Sequence, residues 1–273
     1  MEKYSCLLSL HKNEKKEYLI LALDSMINQT YPPDEIVLVE DGELTPELYE
    51  VLDDYNNKYP SLFKFVINEK NLGLGLSLNK GLAVCKNELV ARMDTDDFSL
   101  PQRCELQIKA FEENPNLDII GCSVKEFKDD INNIIGERTV PFENRDIYKF
   151  AKYRDPFNHP TVMFRKSKVI ESGGYLPYRK NQDTDLWIRM LQHNAVCKNL
   201  TEDLFRFRFD DGTYKKRKSW VNTKILIEIR FKAFKSGFNT FFEFLIIFWG
   251  QILVYLLPQN CQEFIYKSIL RKK

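Results

Sequence analysis

Residues 89–101 read LVARMDTDDFSLP, a short apolar run that delivers Asp94, Asp96 and Asp97 within four positions and closes on Pro101. Carboxylates this close repel one another, so crowding them is costly unless a cation or a ring of hydrogen-bond donors neutralises them. Acids also favour helix N-termini, and Asp97 fits as the cap of the helix that Leu100-Pro101 introduces. A cap uses one acid, which leaves Asp94 and Asp96 for a ligand. Hard oxygen donors select Mg2+ or Mn2+, and either cation would in turn bind a diphosphate.

Upstream, Tyr4 to Leu10 and Glu35 to Glu40 are apolar runs of strand length on either side of an amphipathic helical stretch, Tyr18 to Asn28. Residues 46 to 58 read as helix, Phe63 to Ile67 as strand, Leu74 to Cys85 as helix and Leu89 to Met93 as strand. This alternation predicts a parallel sheet with crossover helices, and ligands of such sheets gather beyond the carboxyl ends of the strands. Two acidic turns fall there, Glu40-Asp41-Gly42 and Asp94 to Asp97, so they are expected to share one crevice. Downstream, a helix is expected to end near Asn114-Pro115, with a further strand over Ile119 to Phe127.

Three other segments carry weaker signals. Asn71 to Asn79, NLGLGLSLN, lacks the third glycine of a dinucleotide loop and comes too late to follow the first strand. It reads either as a loop feeding a helix or as a pocket wall, with close backbone approach allowed at Gly73 and Gly75. Gln182-Asp183-Thr184-Asp185 precedes an amphipathic helix, where capping and catalysis are equally good readings. His159, one of three histidines, is a pocket candidate in FNHPTVMFR.

The composition bounds the rest. With 273 residues, 44% of them hydrophobic, the chain suffices for one large domain with an appendage. A formal net charge of +1 supplies no global field for nucleic acid. The six cysteines are scattered without metal-binding spacing and read as buried thiols in a reducing compartment. The N-terminus lacks a signal-peptide pattern, so a cytoplasmic location is expected. No nucleophile elbow or zinc spacing occurs. The character changes from Lys215: a basic KKRK precedes an apolar tail, FFEFLIIFWGQILVYLLP, with RKK at the end. Phe241 to Leu257 falls short of the about 20 residues of a comfortable span. A helix lying on an anionic leaflet is preferred to a crossing one, and packing in a homodimer is a third reading.

Taken in order, VEDG, NLGLGLSLNKGL, ARMDTDDFSLPQR, HPTVMFR followed by GGY, and QDTDLWIR resemble family 2 glycosyltransferases over about residues 4 to 213. The resemblance implies the GT-A fold: an α/β, Rossmann-like mixed sheet flanked by helices over 1–213, here with a C-terminal helical extension, 214–273. It implies an inverting transferase using a UDP- or dTDP-sugar. Asp41 would then contact the base, with Ser9, Asn71 and Asn79 in the nucleotide pocket, Asp94 and Asp96 on the ribose and metal-diphosphate side, and Asp183 as general base. Gln182 stands where relatives carry glutamate. Phe207-Arg208-Phe209-Asp210 replaces a Tyr-Arg-x-His turn, so Asp210 would supply oxygen to the metal.

The expected acceptor is a glycan, lipid-linked at the inner membrane surface, with the enzyme peripheral to its cytoplasmic face. The competing readings are a non-catalytic nucleotide-sugar-binding scaffold and a nucleotidyltransferase. The latter ranks lower because no basic, glycine-rich loop is present to grip a triphosphate.

Overall fold

The computed structural model describes residues 1–209 and 219–258; Asp210, the basic run 215–218 and the segment 259–273 lie outside the described residues. Strands β1 (Tyr4–Leu10), β2 (Glu35–Asp41), β3 (Phe63–Asn68) and β4 (Leu89–Arg92) run parallel in the order β4-β1-β2-β3. They alternate with α1 (Lys16–Ile27), α2 (Pro46–Lys58) and α3 (Leu74–Val84). Successive side chains of β1 enter opposite cores: Cys6, Leu8 and Leu10 pack with Leu19 and Leu23 of α1, while Leu7 packs with Leu78 and Leu82 of α3. Both faces are covered at β1, β2 and β4, which is why those strands read as mainly apolar runs, whereas the edge strand β3 is only partly buried.

The chain continues through β5 (Phe98–Ser99), α4 (Arg103–Glu113), β6 (Ile119–Cys122), β7 (Val124–Phe127), β8 (Ile134–Arg138) and α5 (Asn144–Ala151). A 3-10 turn at His159–Thr161 leads to β9 (Met163–Arg165), then α6 (Lys166–Glu171), α7 (Gln182–Gln192), β10 (Cys197–Leu200) and β11 (Phe205–Arg208). In the main sheet, β10-β6-β9-β4-β1-β2-β3, only β9 is antiparallel to its neighbours. A second sheet, β5-β11-β7-β8, stands at the carboxyl end of β4.

Two expectations are corrected. The strand read over Ile119 to Phe127 breaks at Ser123 into β6 and β7, which belong to different sheets. Asp97 caps no helix: α4 starts at Arg103 behind Gln102, and Asp97 instead accepts the backbone N–H of Arg208 at 2.7 Å. Its carboxylate ties the acidic turn to β11 of the second sheet.

The tail forms α8 (Trp220–Lys235) and α9 (Phe241–Leu256). Ile229 and Ala233 of α8 pack on Ile188 of α7, and Arg230 donates to the Ala151 carbonyl at 2.5 Å. A capping box between Thr240 and Glu243 starts α9, and Glu243 also pairs with Lys152 at 3.0 Å. Phe244 meets Phe231 and Phe234 of α8, leaving Phe242, Ile246, Trp249, Leu253 and Leu256 between 61% and 75% exposed on the outer face. Among the described residues no helix is long and apolar enough to cross a membrane. Five described cysteines, Cys6, Cys85, Cys104, Cys122 and Cys197, are buried free thiols.

Candidate active site

The carboxyl ends of β1, β2 and β4 open into a cavity of about 550 Å3 whose lining includes Ser9, Asp41, Leu74, Asp94, Asp96 and Arg208. The two acidic turns thus share one crevice, as their strand positions require. The loop after β1 supplies the opposite wall through His11, Asn13, Glu14 and Lys15. A second cavity of about 410 Å3 adjoins it, sharing His11, Asn13 and Asp41 and adding Gly42, Lys70 and Asn71.

Asp41 is buried at the end of β2, and its carboxylate is fully engaged. Oδ1 accepts from the backbone N–H of Leu72 at 2.7 Å and from Asn68 Nδ2 at 3.2 Å. Oδ2 accepts from the N–H of Gly73 at 3.0 Å and from Asn71 Nδ2 at 3.0 Å. These four donors match the roughly four acceptor sites of a carboxylate. Asp41 therefore shapes the pocket by holding the 71–73 loop. Gly42 follows with φ 90°, and a Cβ there would sit 2.9 Å from the Asn71 nitrogen, so the chain can turn this tightly only at glycine.

Oxygens of Asp94, Asp96 and Asp97 lie within 4.8 Å of one another. Buried Arg92 donates to Asp94 Oδ1, while its Nε and Nη1 have no partner among the described residues. Burial, then the charges of Asp94 and Glu14, push the Asp96 carboxyl up to about 7. Burial, then Asp96 and Asp94, push Asp97 well above the usual carboxylate range. Glu14 accepts from Thr95 Oγ1 at 2.7 Å and so adds a fourth acid beside the turn. A group of desolvated, mutually repelling oxygens fits a hard divalent cation, with Asp94 and Asp96 facing the cavity and Asp97 turned into the protein.

Asp183 is half-buried in the first turn of α7, behind Asn181 in a left-handed conformation. Desolvation, then the Asp155 charge, push its carboxyl up to about 6, against the pull of the Thr184 backbone N–H. It is not among the residues that line the larger cavity; its neighbour Gln182 packs beside the segment that leaves that cavity. The Cγ of Gln182 lies 3.3 Å from where a Cβ on Gly75 would sit, and Leu74, one residue earlier, lines the cavity. Asp185 is structural: its carboxylate pairs with Arg189 at 2.6 Å.

The remaining predicted residues divide. Ser9 lines the larger cavity and Asn71 the smaller. Asn79 faces the chain: it accepts the Tyr175 N–H and donates to the Tyr175 carbonyl, each at 2.8 Å. Asp210 lies outside the described residues. His159 Nε2 is 2.9 Å from the Tyr175 hydroxyl, and burial, then Arg92, hold its pKa well below the ordinary value, so it is neutral.

Arg92, Glu14 and Arg208 were not anticipated. A charge inside the apolar run LVARM was the one available signal for Arg92, because a buried arginine needs an acid beside it. Arg208 and Glu14 reach the site only through sheet pairing and loop folding.

A family model described as Glycosyl transferase family 2 matches residues 10–174. The chain is 36% identical to the amylovoran biosynthesis glycosyltransferase AmsE of Erwinia amylovora, over 97% of this chain and 98% of that protein. It is 32% identical to the UDP-Gal:alpha-D-GlcNAc-diphosphoundecaprenol beta-1,3-galactosyltransferase of Escherichia coli, over 99% and 97%. Among solved structures, the mannosyltransferase PcManGT of Pyrobaculum calidifontis, in complex with GDP-Man and Mn2+, superposes with TM-score 0.65 at 15% identity, covering 96% of this chain and 72% of that one. S. aureus TarS 1-349 superposes with TM-score 0.63 at 17% identity, covering 98% and 76%.

Proposed function

The chain belongs to glycosyltransferase family 2 and has the GT-A fold, and on that premise we propose that it is an inverting, divalent-metal-assisted transferase of polysaccharide biosynthesis. Its donor is a UDP- or dTDP-sugar, and its acceptor is a hydroxyl of a lipid-linked glycan. The observation that carries this reading is the placement of Asp94 and Asp96 beside Ser9 and Asp41 in one cavity at the carboxyl ends of the strands.

Asp94 and Asp96 would hold the cation, Mn2+ or Mg2+, and Asp210, outside the described residues, would be a further oxygen donor. The chemistry such a cation would supply is stabilisation of the negative charge that grows on the departing diphosphate. Ser9 and the Asp41–Asn71 loop frame the nucleoside. Asp183 accepts the proton of the acceptor hydroxyl as that oxygen bonds to the anomeric carbon and the bond to the β-phosphate oxygen breaks. Attack from the face opposite the leaving group inverts the anomeric centre. A carboxyl that titrates near 6 is ionised at neutral pH, yet is a stronger base than an ordinary aspartate.

The outer face of α9 seats the enzyme on the cytoplasmic leaflet, where a lipid-linked acceptor is found. The test incubates the protein with nucleotide sugars and a polyprenyl-diphosphate-linked sugar, with Mn2+ or with EDTA. Cation-dependent release of a nucleoside diphosphate and a product of inverted anomeric configuration are expected. A retained anomer, or no turnover with any donor, contradicts the proposal.

A further inference from the structure

Arg208 is the one cation of the larger cavity's lining that is both buried and fixed, and among the described residues no acid pairs with its side chain. Its backbone N–H is taken by Asp97, its Nε by the Asp96 carbonyl at 2.8 Å and its Nη1 by the Lys128 carbonyl at 2.8 Å. The guanidinium lies between two rings, with its central carbon 3.7 Å from the Tyr18 centroid and 4.4 Å from the Phe127 centroid. The residue is 8% exposed, and its side chain makes no ion pair with a carboxylate among the described residues. Nη2 is left without a protein partner there, on a residue that lines the cavity. Lys15, the other permanent cation of the lining, is exposed and donates from Nζ to the Tyr18 hydroxyl at 3.2 Å.

A guanidinium held by two carbonyls and two rings has already lost its side-chain freedom, so an anion that meets it spends little entropy on ordering it. A buried cation without an anion is costly, which is an arrangement that favours a charged ligand. The same turn presents acids to a cation from Asp96 and holds the guanidinium through the Asp96 carbonyl, so one ligand can meet both. A diphosphate carries the required charge and has oxygens to spare beyond those a metal takes.

We propose that Arg208 is a substrate-binding residue, a cation built into the chain that grips the diphosphate of the donor independently of the metal. The inference rests on the reading of this cavity as a nucleotide-sugar site. Its consequence is that nucleoside diphosphates keep a measurable affinity when the divalent ion is removed.

The experiment is a calorimetric titration of UDP, dTDP and GDP into wild type, Arg208→Lys and Arg208→Met, in Mn2+ and in EDTA. The probe is whichever nucleotide binds wild type in Mn2+. Wild type is expected to bind it in EDTA as well, more weakly. Arg208→Met is expected to lose about tenfold or more of that EDTA affinity, and Arg208→Lys to fall between, because lysine keeps the charge and loses the planar fork. Should Arg208→Met fail to fold, judged by its thermal transition, the wild-type titration in EDTA and Arg208→Lys still decide. Binding in Mn2+ with none in EDTA overturns the role of Arg208, as does EDTA affinity that neither substitution changes. No binding of any nucleoside diphosphate in Mn2+ overturns the nucleotide-site reading beneath it.

Discussion

Oδ1 of Asp41 accepts the backbone N–H of Leu72 at 2.7 Å, tying the end of β2 to the loop that opens α3. Both oxygens are saturated by donors, so Asp41→Asn would set an amide N–H against a backbone N–H and release the loop. A loss on the order of 1–3 kcal/mol of stability is expected from a buried donor left unpaired. Thermal denaturation measures it, and donor affinity should fall with it. An Asn variant as stable as wild type would mean that the loop is held elsewhere.

Asp183 titrates near 6, so the sign of the pH dependence is fixed: the base is protonated and idle below that value and ionised above it. At saturating Mn2+, kcat should fall about tenfold per pH unit below 6 and level off above. Asp96, near 7 without a cation, loses its proton when a cation binds, so a second acid limb should appear only at limiting Mn2+. Asp183→Asn should lower kcat by about a hundredfold or more and abolish the limb near 6. Near-normal transfer by that variant would remove the base assignment.

Much of this was legible because it is periodic or local. The boundaries of α2 fell where the sequence put them, and β1, β2 and β4 were legible as apolar runs, because a strand buried on both faces is mainly apolar. The junction at Ser123 was not legible, since a run from Ile119 to Phe127 gives no sign that its halves belong to different sheets. In the site, Asp94 and Asp96 stood out as crowded charge. The engagement of Asp41 by the Leu72 and Gly73 N–H groups, and the placing of Arg208 beside Asp96, depend on contacts between residues distant in sequence. Asn79 was legible only as an amide close to a glycine loop, and nothing in the sequence signals that it bonds the backbone of Tyr175, 96 residues away.

The outer face of α9 repeats apolar residues at 242, 246, 249, 253 and 256, with Trp249 at its middle. Burial of one such side chain is worth about 1.5–3 kcal/mol. The double substitution Ile246→Glu/Trp249→Glu should therefore release the protein from phosphatidylglycerol-containing vesicles in a flotation assay, with its thermal transition unchanged. Unaltered flotation would refute attachment through this face, and a wild-type dimer dissolved by the same changes would assign the face to a second copy of the chain.

The claim on which the mechanism depends is that Asp94 and Asp96 hold a divalent ion in the nucleotide cavity. Electron paramagnetic resonance of Mn2+ titrated into wild type and Asp96→Asn, each with a saturating nucleoside diphosphate, reads this directly. One tightly bound Mn2+ per wild-type chain, lost or weakened by about a hundredfold in Asp96→Asn, is the expected result. Equal Mn2+ binding by the two proteins would contradict it.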